Sequence, residues 1–444
     1  MIWVYILLFI FIVVVCNKIP YSSILGNRYD KVTKLPNRYG LEKMIARTRN
    51  EESVALLIIH VKRMQYVNIQ QGFTIGDELL SMVAERLQKQ MNEKGYFSWL
   101  SGDRFAYLLK DIQERKEVEL AIEQIHSSLK QPFFVQNQSF SLSCSIGAAL
   151  STYKEHGKSL QHAELALMYA EKTGRTNSFY EISMEKEFAH QIQLAMELER
   201  AVTKQEFVLY YQPQINTRTK TLSGMEALIR WNHPEKGILS PATFIPTAEE
   251  TGLIIPIGKW VLYEACRQSA EWKREGYNVG RLGVNVSFVQ FVQDDFIEIV
   301  QDVLKQTGLN PKDLELELTE SISIEKDVHT IEKLKKLYQI GVRVSIDDFG
   351  TGNSNLQYLQ QYEVHTIKIA PQFVSELAAC HRNKWIIFAI TFLAEQCNVK
   401  LIAEGVETVE QLSFLNSLNC THVQGYYFSP PLPSYEFVSF VGNM

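Results

Sequence analysis

The chain opens on an apolar run with no polar face and then settles into alternating strand-like and helix-like patterns. Residues 1–16 are uninterruptedly apolar, and the run extends over residues 19–25 with only Lys18 intruding, close to the ~20 residues needed to cross hydrocarbon. Lys18, Arg28, Lys31, Lys34 and Arg38 follow the run and no cation precedes it, so the positive-inside rule directs the remainder to the cytoplasm. Residues 13–16 supply no small-residue cleavage site, which favours an uncleaved anchor over a signal peptide. The expectation is a single-pass transmembrane anchor over 1–25 in the cell membrane, with both following domains cytoplasmic. A buried helix of a soluble protein is the alternative, and it would want a polar face.

Beyond the anchor, strand patterns fall at 53–61, 96–100 and 104–109, helical periodicity at 76–91, 114–130 and 160–172, and a hairpin pattern over 133–150. A tight Ser101-Gly102-Asp103 turn joins two of the strands, and Gly174 is placed to end the last helix. This reads as a compact α+β unit over 26–182. Phe188, Ile192, Ala195, Leu198 and Val202 recur at helical spacing, predicting a connecting helix over 183–204. The remaining segment, 205–444, carries eight strand patterns at 207–215, 225–231, 282–287, 314–319, 342–347, 366–370, 400–404 and 422–428, within the size range of a (β/α)8 TIM barrel. Only nine residues separate the first two strands, fewer than the dozen or so that a parallel crossover requires. The fold class is therefore α/β, a modified TIM barrel with one antiparallel strand behind the smaller α+β domain.

Composition adds little to this picture except by exclusion. Apolar residues at 46% and charged residues at 21% describe a globular chain, and a net charge of -5 gives no general affinity for DNA. The six cysteines show neither CxxC pairing nor zinc-ligand spacing and read as isolated thiols.

The informative chemistry is the placement of acids. Glu226, Asn285, Glu317, Asp347 and Glu404 each sit within or at the end of an apolar strand, where an unpaired carboxylate is costly. In a barrel, the C-terminal strand ends converge on one mouth. With Asp348 they make an all-oxygen set suited to hard divalent ions, Mg2+ or Mn2+, and the adjacent Asp347 and Asp348 could bridge two of them. Two ions suit phosphodiester hydrolysis, and Lys368, also at a strand end, could neutralise phosphate charge or orient the water. Any one of these acids read alone is a structural ion pair; six polar groups at one barrel end are not.

Glu226-Ala227-Leu228-Ile229-Arg230-Trp231 resembles the signature of the EAL family of cyclic di-GMP phosphodiesterases. Tyr211-Gln212-Pro213, Asn285-Val286-Ser287, Glu317-Leu318-Thr319-Glu320-Ser321, Asp347-Asp348-Phe349-Gly350-Thr351-Gly352, Glu404-Gly405-Val406-Glu407 and Gln424-Gly425 follow in family order over about 190–440. The resemblance implies two-metal hydrolysis of cyclic di-GMP to linear pGpG. Glu226, Asn285, Glu317, Asp347, Asp348 and Glu404 would hold the ions, Lys368 and Glu404 would assist catalysis, and Glu320 would support the loop after Asp348. Gln212, Leu228, Arg230, Glu407 and Gln424 would line or brace the substrate site. One departure bears on activity: the family has Lys-Ile-Asp where this chain has Lys368-Ile369-Ala370, so a carboxylate near the second metal is missing. Asn353 and Asn355 also replace a tyrosine and a serine. The alternative function is a non-catalytic cyclic di-GMP receptor.

The segment Asp30-Lys31-Val32-Thr33-Lys34-Leu35-Pro36-Asn37-Arg38 resembles the entry motif of GGDEF diguanylate cyclases, which implies a palm-type fold for the first unit. Its signature turn reads Ser101-Gly102-Asp103-Arg104-Phe105, with Arg104 in place of the family's catalytic glutamate. His60 and Lys62 stand where acids are expected, Glu171 replaces a lysine expected near the triphosphate, and Asn92 and Gly95 occupy the product-inhibition positions. The expectation is a catalytically inactive cyclase domain whose His60 is packed or solvated. Asn68 and Asp77 match the positions that read guanine, and Asp103 and Arg175 are retained, which leaves GTP binding open. A homodimer is likewise left open.

Overall fold

The computed structural model describes residues 28–48, 53–90, 95–136, 138–151, 157–319, 328–351, 364–377 and 381–444. Its contacts divide the chain into one unit up to His190 and another from Gln191, with the helix Ile182–Lys204 running through the boundary.

The strands of the first unit are β1 (Val54–Lys62), β2 (Gly95–Ser101), β3 (Arg104–Lys110), β4 (Phe133–Val135), β5 (Gln138–Phe140), β6 (Ser143–Ser151) and β7 (Asn177–Phe179). Five of them form a sheet in the order β2-β3-β1-β6-β7, with β1 central and antiparallel to both neighbours. That position explains its apolar run, because both of its faces are covered. Ala55, Leu57, Ile59 and Val61 share a core with Leu79, Val83, Ile122 and Ile125 on the helices Phe73–Gln90 and Arg115–Lys130. Val54, Leu56 and Ile58 share another with Leu41, Ile45, Ala163 and Leu167. Each such buried leucine, isoleucine or valine contributes ~1.5–3 kcal/mol of transfer free energy.

Two expectations are corrected here. The hairpin over 133–150 is only β4 with β5, a separate two-stranded piece, while β6 pairs with β1 in the main sheet. Residues Cys144 to Ala149 are buried on both faces, which suits the centre of a covered sheet rather than a hairpin arm. A helix Met64–Gln71 also precedes the one expected at 76–91, which itself begins at Phe73. Only Met64 and Val67 of that first helix are buried while Tyr66 and Ile69 face outward, so no apolar stripe announces it.

The second unit contributes β8 (Phe207–Asn216), β9 (Thr221–His233), β10 (Gly237–Leu239), β11 (Arg281–Val286), β12 (Leu314–Thr319), β13 (Arg343–Phe349), β14 (Thr366–Ile369), β15 (Lys400–Ala403), β16 (His422–Val423) and β17 (Leu432–Pro433). From β9 through β11 to β16 every adjacent pair is parallel. β8 closes the ring antiparallel to both β16 and β9, so the barrel has eight strands with the first reversed, as the short link predicts. β10 and β17 extend the edges of β9 and β8.

Among the described residues no helix is long and apolar enough to cross a membrane. The anchor expected over 1–25 lies outside the described residues.

Candidate active site

Side chains alternate across a strand, and in this barrel the inward set is polar at one end. Glu226 on β9, Asn285 on β11, Glu317 on β12, Asp347 on β13 and Lys368 on β14 meet at the C-terminal mouth, joined by Glu404 one residue past β15 and Gln424 one past β16. Lys368 is the hub, only 1% exposed. Its Nζ lies 2.5 Å from Glu317 Oε2, 2.7 Å from Glu404 Oε1, 3.2 Å from Asp347 Oδ1 and 3.3 Å from Glu226 Oε2. An ammonium has three protons, and hydrogen bonds run to Glu317 and Glu226. Asp347 Oδ1 and Glu404 Oε1, though close, are buried without a hydrogen-bond partner among the described residues.

The four glutamate and aspartate neighbours of Lys368 are not equivalent. Burial works against the charge of Glu226, but Lys368, a 2.6 Å bond from Gln424 Nε2 and a 2.6 Å bond from Asn285 Nδ2 outweigh it and lower its pKa. Glu317 has no such donors. Burial first, then the crowd of Glu226, Asp347 and Glu404, carry its pKa well above the carboxylate range despite Lys368. Burial likewise brings Glu404 up to about 8 and, with Asp347 beside it, raises Asp348. Lys368 is held protonated: burial opposes its charge, and the surrounding carboxylates win.

Asp347 and Asp348 are adjacent, so a regular strand would aim them at opposite faces. The ladder between β13 and β14 slips between Ile346 and Phe349, and Asp348 takes a left-handed φ of 51°. This bulge re-aims the second carboxylate: ligand oxygens of Asp347, Asp348 and Glu404 come within 4.8 Å of one another. With Glu226 and Glu317, five carboxylates face one ammonium, leaving four uncompensated negative charges when all are ionised. The oxygen donors, the orphaned Asp347 and Glu404 atoms and this charge fit a pair of hard divalent cations.

Gly283 on β11 is a site residue that the acid pattern misses. A Cβ built there would lie 2.1 Å from Glu317 Oε1, so the glycine makes room for the carboxylate; a glycine inside a strand is the available signal. Gly283→Ala is expected to displace Glu317 and slow turnover by ~10-fold or more with the melting temperature nearly unchanged. An unaltered rate in a steady-state assay rules this role out.

Gln212 and Gln424 are buried and brace the site. Gln424 Nε2 donates to Gln212 Oε1 at 3.0 Å as well as to Glu226, while Gln214, which the motifs did not flag, donates to Gln424 Oε1 at 3.1 Å. Leu228 lines an apolar cavity of about 420 Å³ with Ile229, Ile245 and Asn285. Arg230 is half-buried, its Nη1 donating to the Ile229 carbonyl at 2.8 Å and its guanidinium 5.6 Å from the Tyr210 ring centre. Glu407 is exposed on the loop after β15, and its backbone N–H donates to Gln411 Oε1; among the described residues no hydrogen bond or ion pair draws its side chain into the cluster. Glu320, Asn353 and Asn355 lie outside the described residues. Ala370, two residues beyond Lys368, is 1% exposed and caps the short helix Pro371–Ser375.

In the first unit His60 is partly buried and wedged between acids. Its Nδ1 contacts Glu171 Oε1 and its Nε2 lies 3.4 Å from Asp103 Oδ2. The bond to Asp103 raises its pKa most, with Glu171 adding to this against burial. The two substitutions noted in the sequence, a histidine for an acid and an acid for a lysine, thus form one ion pair. Arg104 pairs with Glu164 at 3.2 Å. Asn68, Asp77 and Asp103 line a cavity of about 360 Å³ together with Trp99, whereas Arg175 lines a different one of about 750 Å³. Because the folded-state pKa of His60 exceeds the ordinary 6.5, its contribution to stability is full below 6.5 and is lost as pH rises through the elevated value. Thermal unfolding of wild type should therefore fall more from pH 6 to 9 than that of His60→Gln; parallel curves would contradict the pairing.

The "EAL domain" family model matches residues 195–431 and the "Diguanylate cyclase, GGDEF domain" model residues 27–177. Signaling protein YkoW of Bacillus subtilis is 34% identical over 423 residues, covering 93% of this chain and 53% of that protein. The bifunctional diguanylate cyclase/cyclic di-GMP phosphodiesterase MucR of Pseudomonas aeruginosa is 35% identical over 423 residues, 93% of this chain and 61% of its own. The chain thus spans about half to three fifths of these relatives. Among solved structures, a PaMucR phosphodiesterase in complex with c-di-GMP is 40% identical, with a TM-score of 0.54 over 55% of this chain and 99% of that one. The EAL enzyme Bd1971 in its cGMP-bound form is 29% identical, with a TM-score of 0.55 over 69% and 85%. With its polar barrel mouth matched by a domain model over more than half of its residues, the chain belongs to the EAL domain family, in the tandem arrangement in which a GGDEF domain precedes the EAL domain.

Proposed function

We propose that the second unit hydrolyses cyclic di-GMP to linear pGpG with two Mg2+ or Mn2+ ions, and that the first unit makes no cyclic di-GMP. The observation that carries this reading is the cage of carboxylates around Lys368, with Asp347, Asp348 and Glu404 clustered on one side of it. The relatives whose names describe cyclic di-GMP phosphodiesterases or their complexes support the substrate. Glu226, Asn285, Glu317, Asp347, Asp348 and Glu404 would hold the ions, which when bound supply Lewis acidity at the phosphoryl oxygens and acidify a water. Lys368 keeps the carboxylates converged and presents positive charge beside the phosphodiester. Gln212 and Gln424 fix Glu226, Arg230 meets a phosphate, and Leu228 offers an apolar wall to a base. In the first unit, the His60–Glu171 pair and the cation at Arg104 oppose Mg2+ and triphosphate placement.

The test is incubation of purified protein with cyclic di-GMP and Mn2+, with chromatography of the nucleotides. pGpG that vanishes with chelator is expected; equal turnover in chelator would overturn the metal chemistry. Binding without turnover would establish the receptor reading, which Ala370 favours. With GTP and either ion no cyclic di-GMP should form, and product that is lost in Asp103→Ala would refute an inactive first unit. We further propose, from residues 1–25 alone, a single-pass anchor with both units cytoplasmic.

A further inference from the structure

The barrel has a second polar end, opposite the acidic mouth. Arg281, Arg343 and Lys400 begin β11, β13 and β15, and each is an even number of residues from an inward-facing mouth residue, Asn285, Asp347 and Glu404. All three therefore point into the N-terminal pole. Among the described residues one carboxylate, Glu315 on β12, faces them; Arg281 Nη1 lies 3.0 Å from its Oε2, and its charge is shared with Arg343 and Lys400, which leaves three cations to one acid. Neither Arg343 nor Lys400 has a side-chain hydrogen bond or ion pair among the described residues. His422, which opens β16, is a neutral neighbour: burial, then Lys400 and Arg281, bring its pKa down to about 4, and its Nε2 accepts from Asn216 at 3.4 Å. Glu317, the next acid along β12, is taken by Lys368.

Beside these cations lie two orphaned donors. Ser345, Thr366 and Lys400 pair across β13, β14 and β15 as one rung, and the hydroxyls of Ser345 and Thr366, both fully buried, have no hydrogen-bond partner among the described residues. Burial brings Lys400 down to about 8, with Arg281 and Arg343 lowering it further and the Glu315 carboxylate opposing them. Two uncompensated positive charges and two unused hydroxyl donors at one partly open pole match the charge and acceptor count of a small dianion.

We propose that the N-terminal pole of the barrel is a binding site for a phosphate-class oxyanion, held by Lys400 and Arg343 with the Ser345 and Thr366 hydroxyls donating. The site stands apart from the metal-binding mouth and does not depend on the phosphodiesterase reading. Its occupant links the starts of β13, β14 and β15, whose far ends carry Asp347, Lys368 and Glu404, so it stabilises the strands that position the mouth.

Inorganic phosphate, added to the full chain in chelator so that the mouth stays acidic, is expected to raise the melting temperature by ~2–4 °C. Sodium chloride at equal ionic strength should not, and Lys400→Met should lose the phosphate response. A chloride response of the same size, or a full response in Lys400→Met, would overturn the proposal. Should Lys400→Met fail to fold, tungstate soaked into crystals of the unaltered protein decides the matter. An anomalous peak within hydrogen-bond reach of Lys400 Nζ is expected, and no peak at that pole would sink it.

Discussion

Replacing Glu317 by glutamine is expected to slow cyclic di-GMP hydrolysis by at least ~100-fold while leaving the barrel folded. Loss of a group that merely orients a metal ligand costs about 10–100-fold in affinity or activity, so loss of a ligand itself starts from the top of that range. Folding should survive because burial and the neighbouring carboxylates already raise the Glu317 pKa, which disfavours its charged form, and an amide of the same shape replaces it. Lys368 keeps Glu404, Asp347 and Glu226 at 2.7, 3.2 and 3.3 Å. The metal response separates this account from a packing defect. Manganese should raise the wild-type melting temperature through its binding to the folded state, and the variant should need at least ~10-fold more of it for the same rise. A variant that keeps a tenth of the rate, or that responds to manganese as wild type does, would show that Glu317 is not a ligand.

The reversed strand and the acid cluster were legible in the sequence because each leaves a local trace. The nine-residue link before Met225 is too short for a crossover, and Glu226, Glu317 and Glu404 interrupt apolar runs where a carboxylate needs a partner. What stayed hidden depends on distant packing. The bulge that turns Asp348 toward Asp347 is a slip of register between β13 and β14, and a sequence of two aspartates does not encode which ladder slips. Gln214 acts only through Gln424, more than two hundred residues away. Arg343 and Lys400 look like ordinary surface cations until the strands are in register. The helix Met64–Gln71 buries only two side chains, and the partner of His60 is 111 residues off, so neither has a local period to read.

Ala370→Asp is the substitution expected to gain activity. Ala370 follows Ile369 at the end of β14 and, two positions past Lys368, lies on the same face as that hub. Two divalent ions a few ångströms apart repel strongly, and each carboxylate in their shell offsets part of that repulsion. With alanine here, the open side of the cluster rests on Asp347, Asp348 and Glu404, and weak occupancy of a second metal position is the expected result. An added aspartate at this buried position also starts the helix Pro371–Ser375, where Ala370 caps with no side-chain bond and an aspartate can accept from the helix N–H groups. Without metal the new carboxylate joins an already overcharged cluster, so the metal-free melting temperature should fall. With manganese the rate should rise by ~10–100-fold and the half-saturating metal concentration should drop, while affinity for cyclic di-GMP in Ca2+ changes less. Steady-state rates across a manganese titration, paired with unfolding in chelator, measure all three. If the rate and the metal dependence both stay at their wild-type values, Asp348 already does what the missing acid would do, and position 370 does not limit catalysis.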